Sequence, residues 1–299
     1  MIRTVRTWLS FVKFSHTIFA LPFALAAMVV AARDTRGWPG WRLFFLILGA
    51  MVCARTCAMA FNRIVDRRFD ALNPRTANRH LPAGAISMVS AVGLWVLSGA
   101  GLVVISWFIN PLCFWLSPVA LLVICFYSLT KRFTDFTHVF LGIALALAPV
   151  GAWLAVRGTA VSGLEGLQMG LLALAVVFWL VGFDIIYALQ DYEFDRKAKL
   201  GSLVVRWGPR NALAAAFLSH LLMLMALALF GLSCRFRLPY WVGLGLIAAC
   251  LMLEHFIARR RKLDWINVAF FRMNALVSTL FVVVTVAEVV FPFFRPRRG

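Results

Sequence analysis

Nine runs of about twenty mostly apolar residues follow one another between residues 14 and 294 of this 299-residue chain, parted by charge, Pro or Gly. The hydrocarbon core of a bilayer, roughly 30 Å thick, takes about 20 such residues per helical crossing. The runs therefore predict an all-α polytopic membrane protein with spans at 14–32, 41–61, 86–109, 111–130, 137–156, 167–189, 211–233, 239–257 and 274–294. Asn110 and Pro111 demand a tight turn between the third and fourth, and counts of eight or ten stay open. The alternation of a barrel strand is absent. A soluble enzyme with one anchor and an extracellular module are both excluded, because 63% of the residues are hydrophobic and only 14% charged.

The formal net charge of +18 would suggest nucleic acid in a soluble chain. Here the 30 Lys and Arg lie mainly in loops between apolar runs, so their expected partners are lipid headgroups and anionic substrates, not nucleic acid. Positive charge also sets orientation: the N-terminus and the loops after spans two, four, six and eight hold 20 Lys and Arg, against 9 on the other side. This places the N-terminus on the cytoplasmic face of the plasma (inner) membrane. Arg3, Arg6 and Lys13 imitate the start of a signal peptide, but the run that follows is too long and no polar mature domain succeeds it, so it reads as an uncleaved first span. Cys53, Cys57, Cys113, Cys125 and Cys250 fall within apolar runs and Cys234 at the end of one, so no disulfide framework is expected. Cys53 and Cys57 share a helix face and read as small packing residues.

Two loops, 62–85 and 190–210, are longer than topology needs and share the cytoplasmic side. The chain has only 12 Asp and Glu, and six of them (Asp66, Asp70, Asp184, Asp191, Glu193 and Asp195) crowd into two segments at the ends of spans two and six. Asn62, Asp66 and Asp70 are spaced by four, which keeps them within a sector of about 80° on a helix. Asp184, Tyr187, Asp191 and Asp195 form a second stripe. Asp66 to Asp191 and Asp70 to Asp195 are each 125 residues apart, the pattern of one domain over 1–299 with two related halves. Facing carboxylates at a membrane boundary repel unless cations sit between them. Hard oxygen ligands of this kind select Mg²⁺, which bridges readily to phosphates, so the pocket reads as a Mg²⁺-dependent diphosphate site. The plainer alternative, solvated acids paired with Arg67, Arg68, Arg196 and Lys197, leaves the matched spacing unexplained.

Arg63, Arg67, Arg75, Arg79, Lys131 and Arg132 could hold a departing diphosphate, though an inside loop is basic in any case. Arg55 lies inside span two, seven residues before Asn62 and on the same face, where topology does not account for it. It is a candidate for an acceptor carboxylate or phenolate, or for neutralising the acids. His220 and His255 read as packing residues, His80 as part of the basic loop, and His16 and His138 as rim residues.

With these residues in hand the chain resembles the UbiA superfamily of intramembrane aromatic prenyltransferases over most of its length. The family's N-D-x-x-D-x-x-x-D motif is matched by Asn62, Asp66 and Asp70 with Arg63 in place of the first acid, and R-T-x-x-R-x-L-P-x-G by Arg75, Thr76, Arg79, Leu81, Pro82 and Gly84. D-x-x-Y-A-x-x-D-x-x-x-D is matched by Asp184, Tyr187, Ala188, Asp191 and Asp195, and Y-x-x-x-K-R by Tyr127, Lys131 and Arg132. Arg55 resembles the Arg that precedes the first motif in the 4-hydroxybenzoate enzymes. Phe194 stands where a further acid is common, and Lys199 where Gly is frequent. The Asn-Arg form of the first motif, with the stretch His16 to Phe23, is similar to a bacterial 4-hydroxybenzoate polyprenyltransferase-like branch, some of whose relatives serve menaquinone synthesis.

The resemblance implies nine transmembrane helices around a central cavity and transfer of a polyprenyl group from an allylic polyprenyl diphosphate to an aromatic acid, in ubiquinone or menaquinone synthesis. It implies two Mg²⁺ held by Asp66, Asp70, Asp191 and Asp195 with Asn62, and Tyr187 facing the allyl cation. Arg55, Asn62, Arg63, Arg67, Arg75, Arg79, Tyr127, Lys131, Arg132 and Asp184 would bind substrates. The acceptor alternatives are 4-hydroxybenzoate and 1,4-dihydroxy-6-naphthoate. Outside the class, a transporter would need its acids near the bilayer midplane, whereas these lie at span ends.

Overall fold

The computed structural model describes residues 2–13, 17–259 and 269–291, and every regular element among them is helical. In chain order they are α1 (Ile2–Phe11), α2 (Thr17–Ala31), α3 (Trp41–Leu72), α4 (Met88–Ile109), α5 (Pro111–Phe126), α6 (Thr137–Arg157), α7 (Gly163–Ala188), α8 (Tyr192–Lys197), α9 (Leu203–Ser233), α10 (Leu238–Ala258) and α11 (Asn274–Val290). Short 3₁₀ turns join α5 to α6 and α7 to α8, and a π turn leads into α11. Eight helical stretches are long and apolar enough to cross a membrane. The first predicted span is met by α2, which at 15 residues is shorter than these eight. Its expected beginning, with His16, lies outside the described residues.

Local chemistry sets the boundaries. The turn demanded between the third and fourth spans is made by Asn110 alone: its Oδ1 accepts from Cys113 N at 2.8 Å, and Pro111 takes the first helical position, where a missing N–H costs nothing. The Asn110 amide also donates to Leu154 O at 3.0 Å, tying the turn to the end of α6. Ser162 and Glu165 form a capping box at the start of α7. Far from the acids, Trp38, Trp41, Phe44 and Phe45 cluster about the start of α3, the aromatic girdle of a membrane interface.

Lipid offers apolar side chains nearly what a protein core does, so helix association in a bilayer depends on close packing and on polar contacts. Small residues permit that packing. α2 carries buried Ala24, Ala26, Ala27 and Ala31 and lies against α6, α7 and α11, with Phe23 near Trp179 (4.9 Å) and stacked on Phe281 (4.8 Å). At Gly182 of α7 an added methyl group would meet the His220 ring at 2.2 Å and Ala216 O at 3.0 Å, so α9 closes on α7 only because no side chain intervenes. Polar contacts complete the assembly. The Trp179 carbonyl accepts from His220 Nε2 (3.2 Å), which leaves His220 Nδ1 to accept from His255 Nε2 (2.9 Å). Trp179 Nε1 donates to Asn274 Oδ1 (2.7 Å), whose amide donates to Glu254 (2.8 Å). The two histidines read as packing residues are thus hydrogen-bonded to each other.

α2 to α7 wall a cavity of about 470 Å³. Along α3 it reaches from Asp70 and Asp66 down to Ile47, and 19 residues of helix from Asp66 to Ile47 span about 28 Å. The lower walls are apolar, from Met51, Leu102, Ile109, Leu145 and Ala148 among others.

The α7–α9 contact gives a direct test. Gly182→Ala forces the His220 ring to move and is expected to cost about 1–3 kcal/mol, whereas Gly170→Ala on the same helix, with nothing within 4 Å, is expected to leave the melting temperature in detergent unchanged or to raise it. Equal melting temperatures for both would contradict the packing described.

Candidate active site

The first motif sits on unbroken helix. α3 runs on to Leu72, so Arg55, Asn62, Arg63, Asp66 and Asp70 share one rigid element, and Asn62 Nδ2 donates to Asp66 Oδ2 at 2.9 Å. Pro74 cannot continue a helix and pushes Asn73 to extended backbone (φ −87°, ψ 118°). Asn73 Oδ1 then accepts from Arg75 N at 2.9 Å in an Asx turn, and Thr76 Oγ1 donates to Asp70 O at 3.0 Å. The chain therefore folds back over its own acids. Arg79 reaches Asp70 Oδ1 at 2.6 Å, with Arg63 3.9 Å from Oδ2.

The second motif departs from the single helical stripe read from its spacing. α7 ends at Ala188, Leu189–Asp191 form a 3₁₀ turn, and Asp195 lies on the separate helix α8. Asp191 is held from outside its own segment: Asn73 Nδ2 donates to its Oδ1 (3.1 Å), Arg75 Nε to the same oxygen (2.8 Å) and the other arm of the Arg75 fork to Oδ2. Such a tertiary hold cannot be seen in spacing. Arg75 also donates to the Tyr187 hydroxyl at 3.0 Å. Burial opposes the Arg75 charge, but the bonds to Asp191 and Tyr187 outweigh it and its pKa is raised, so it stays cationic.

A third segment completes the mouth. Gly201 N donates to Lys131 O at 2.7 Å, and a methyl group on Gly201 would meet Thr134 O at 2.3 Å, so the stretch after α8 lies directly on the turn carrying Lys131 and Arg132. Lys131 Nζ is 3.9 Å from Asp195, and Arg132 donates to Asp66 at 3.1 Å and to Val65 O at 2.8 Å. His138, read as a rim residue, lies with Nδ1 2.6 Å from Asp184 Oδ2. Lys199, where Gly is frequent in the family, adopts φ +52°, a left-handed backbone that explains a preference for Gly.

Of the fifteen residues named from sequence, fourteen line the one cavity: Arg55, Asn62, Arg63, Asp66, Asp70, Arg75, Arg79, Tyr127, Lys131, Arg132, Asp184, Tyr187, Asp191 and Asp195. Arg67 does not. It is exposed beside Arg68 on the far side of α3, because one step past Asp66 turns a side chain about 100° away. Sequence reasoning missed Asn73, which the Asn-Pro turn signal could have marked, and Lys13, which lies next to α3 only through the tertiary fold.

The acids do not form a closed metal cage. Among the described residues no three Asp, Glu, His or Cys converge as a metal site, since Asp66, Asp70 and Asp191 each face an Arg. Yet Asp70 Oδ2 and Asp195 Oδ2, one from each segment, are buried without a hydrogen bond. Unsatisfied carboxylate oxygens are costly. They suit a hard divalent cation that takes few protein ligands and completes its shell from water and substrate phosphate.

Comparison with known proteins places the chain within one family. Residues 20–276 match the model of the UbiA prenyltransferase family. The 4-hydroxybenzoate octaprenyltransferase of Methylobacillus flagellatus is 30% identical over 253 residues, covering 84% of this chain and 83% of the relative. Among solved structures, the apo UbiA homolog from Aeropyrum pernix K1 superposes with a TM-score of 0.81 at 31% identity, covering 90% of this chain and 96% of that one. A UbiA homolog from Archaeoglobus fulgidus bound to GPP and Mg²⁺ shares the fold at TM-score 0.72 and 24% identity, over 95% of this chain and 99% of that one.

Backbone strain at the mouth is open to measurement. Lys199→Gly is expected to raise the melting temperature, by up to about 1 kcal/mol of stability, and Gly201→Ala to lower it by displacing the Lys131 turn. The reverse order in a thermal melt in detergent would refute this account of the segment.

Proposed function

The chain belongs to the UbiA prenyltransferase family and is a transferase, and we propose that it moves a polyprenyl group from an allylic polyprenyl diphosphate to a ring carbon of 4-hydroxybenzoate or a closely related aromatic acid. One observation carries this reading: a single cavity, reaching about 28 Å along α3 from Asp66 to Ile47, has acids and forked cations at its mouth and largely apolar walls at its far end. A polyprenyl diphosphate has the same division, a polyanionic head on a long hydrocarbon tail.

Arg75, Arg79, Lys131 and Arg132 ring the mouth and would bind the diphosphate and hold its growing charge as the allylic C–O bond breaks. Two Mg²⁺ held by Asp66, Asp70, Asp191 and Asp195, with Asn62 orienting Asp66, would add Lewis-acid stabilisation of the leaving group. Arg75 keeps Tyr187 and Asp191 in place, its guanidinium donating to the Tyr187 hydroxyl and lying 5.3 Å from the ring centroid, and Tyr187 lines the cavity, where its ring would stabilise an allyl cation. The apolar walls would exclude water from that cation. Arg55 lies about 10 Å deeper than Asn62 along α3, with Nε buried and unbonded among the described residues, and suits the carboxylate of the acceptor. Attack by the ring carbon ortho to the phenol and loss of its proton complete the transfer.

Prenylation of 1,4-dihydroxy-6-naphthoate is the second reading, since that acceptor also offers a carboxylate to Arg55. The distribution of Lys and Arg supports a plasma (inner) membrane protein with its N-terminus and mouth in the cytoplasm. Incubation of the purified protein with Mg²⁺, a polyprenyl diphosphate and either acceptor, followed by mass spectrometry, is expected to give prenylated 4-hydroxybenzoate. Product from the naphthoate alone would move the enzyme to menaquinone synthesis, and none from either would refute transfer to these acids. Asp66→Asn and Asp191→Asn are each expected to lower turnover by about 100-fold or more in folded protein. Full activity in the double variant would remove the metal site.

A further inference from the structure

The N-terminal segment brings into the cavity a cation that belongs to neither acidic motif. α1 ends at Phe11, fully buried in a cluster with Ala60 of α3, Leu81, Ile86 and Ala91 of α4. Ser10 Oγ lies 2.8 Å from His80 Nε2, pinning the same end to the loop after α3. Two residues on, Lys13 lines the cavity. Its backbone is left-handed (φ +46°), with its N–H donating to Ser10 O at 3.1 Å. That conformation is unfavourable for Lys and persists only where surroundings impose it. The Lys13 carbonyl accepts from an arm of the Arg55 guanidinium at 3.2 Å, so the two residues stand side by side.

The other cations of the cavity are each spoken for: Arg63, Arg75, Arg79, Lys131 and Arg132 all lie within 4.0 Å of an Asp. Lys13 and Arg55 have no ion pair among the described residues, and Arg55 Nε is a buried donor with nothing to donate to. Two cations without an ion pair, on residues joined by the Arg55 bond to the Lys13 carbonyl and lining one largely apolar cavity, favour an anion within reach of both.

We propose that Lys13 and Arg55 together form the carboxylate subsite for the acceptor, making Lys13 a substrate-binding residue that fixes the choice of an aromatic acid. This rests on the prenyl transfer proposed above. The electrostatic setting adds a signature. Burial, and then Arg63, Arg79, Arg75 and Arg55, pull the Lys13 pKa down to about 7. The charged groups acting on it are Arg55 and Arg63 of α3 and Arg75 and Arg79 of the following loop, with Asp70 held between Arg63 and Arg79 and His80 of that loop bonded to Ser10 of α1. A lowered Lys pKa means that the charged form prevails below it and is lost above it. An acceptor carboxylate restores the charge, so its binding is strongest below about pH 7 and weakens as pH rises.

The test is the kinetics of the full-length enzyme with Mg²⁺ and saturating polyprenyl diphosphate, varying 4-hydroxybenzoate between about pH 6 and about pH 9. For Lys13→Met the acceptor KM is expected to rise about tenfold or more, with the diphosphate KM within about twofold and the rise of acceptor KM with pH abolished. Lys13→Arg, whose charge does not titrate in this range, is expected to keep the low acceptor KM and flatten its pH profile. An unchanged acceptor KM in folded Lys13→Met, or equal rises in both KM values, overturns the subsite. Absence of prenylated product from the unaltered enzyme is a different result, which overturns the transfer itself.

Discussion

Acids cannot be gathered at the end of an apolar bundle unless each has a cation to face, because taking a carboxylate out of water costs more than packing returns. Arg75 meets that constraint where it matters most. Its guanidinium grips Asp191 with two arms and Tyr187 with the third, and so joins the loop after α3 to the end of α7. Arg79 on Asp70 and Arg132 on Asp66 repeat the arrangement within and across segments. The mouth is therefore a lattice of opposite charges, in which each arm that grips an acid is also a donor that a phosphate oxygen could take over. Under the proposed function, binding a polyanion there would be an exchange of partners, and the acids thereby released would be the proposed metal ligands Asp66, Asp70 and Asp191.

Much of this was legible in the sequence because membrane spans and helical spacing are short-range signals. The spans came from run length, and the tight turn at Asn110 from Pro111 beside it. The stripe of Asn62, Asp66 and Asp70 held because α3 continues unbroken through it. What sequence could not show lies in contacts between distant segments. The second stripe breaks at a 3₁₀ turn where Asp191 is gripped by Asn73 and Arg75, more than a hundred residues away. Arg67 fell outside the cavity because a charge one step from the motif faces the other way on a helix. Lys13 was read only as a charge preceding the first span, since its place in the cavity depends on how the end of α1 is held against α3 and α4.

The departures from the family pattern acquire physical meanings. Arg63, in place of an acid, is buried beside Asp70 and removes one negative charge from the first motif while adding a positive one. Any cation held there meets a less negative site. Lys199 supports the same backbone that a Gly would take more easily, and Gly201 two residues later admits the close approach that seats Lys131. The segment thus keeps its left-handed backbone at Lys199 and its closest approach at Gly201, two residues on.

Glu254 of α10 is completely buried, with Oε2 left without a hydrogen bond, and the group that donates to its Oε1, the Asn274 amide, belongs to α11. The same Asn274 accepts from Trp179 of α7. A helix bearing this acid would face hydrocarbon unfavourably on its own, so α10 gains its stability in the bilayer only once α11 stands next to it. The two helices are in this sense a single unit of insertion, and the order in which the nascent chain leaves the ribosome, α7 well ahead of both, supplies the tryptophan that receives them.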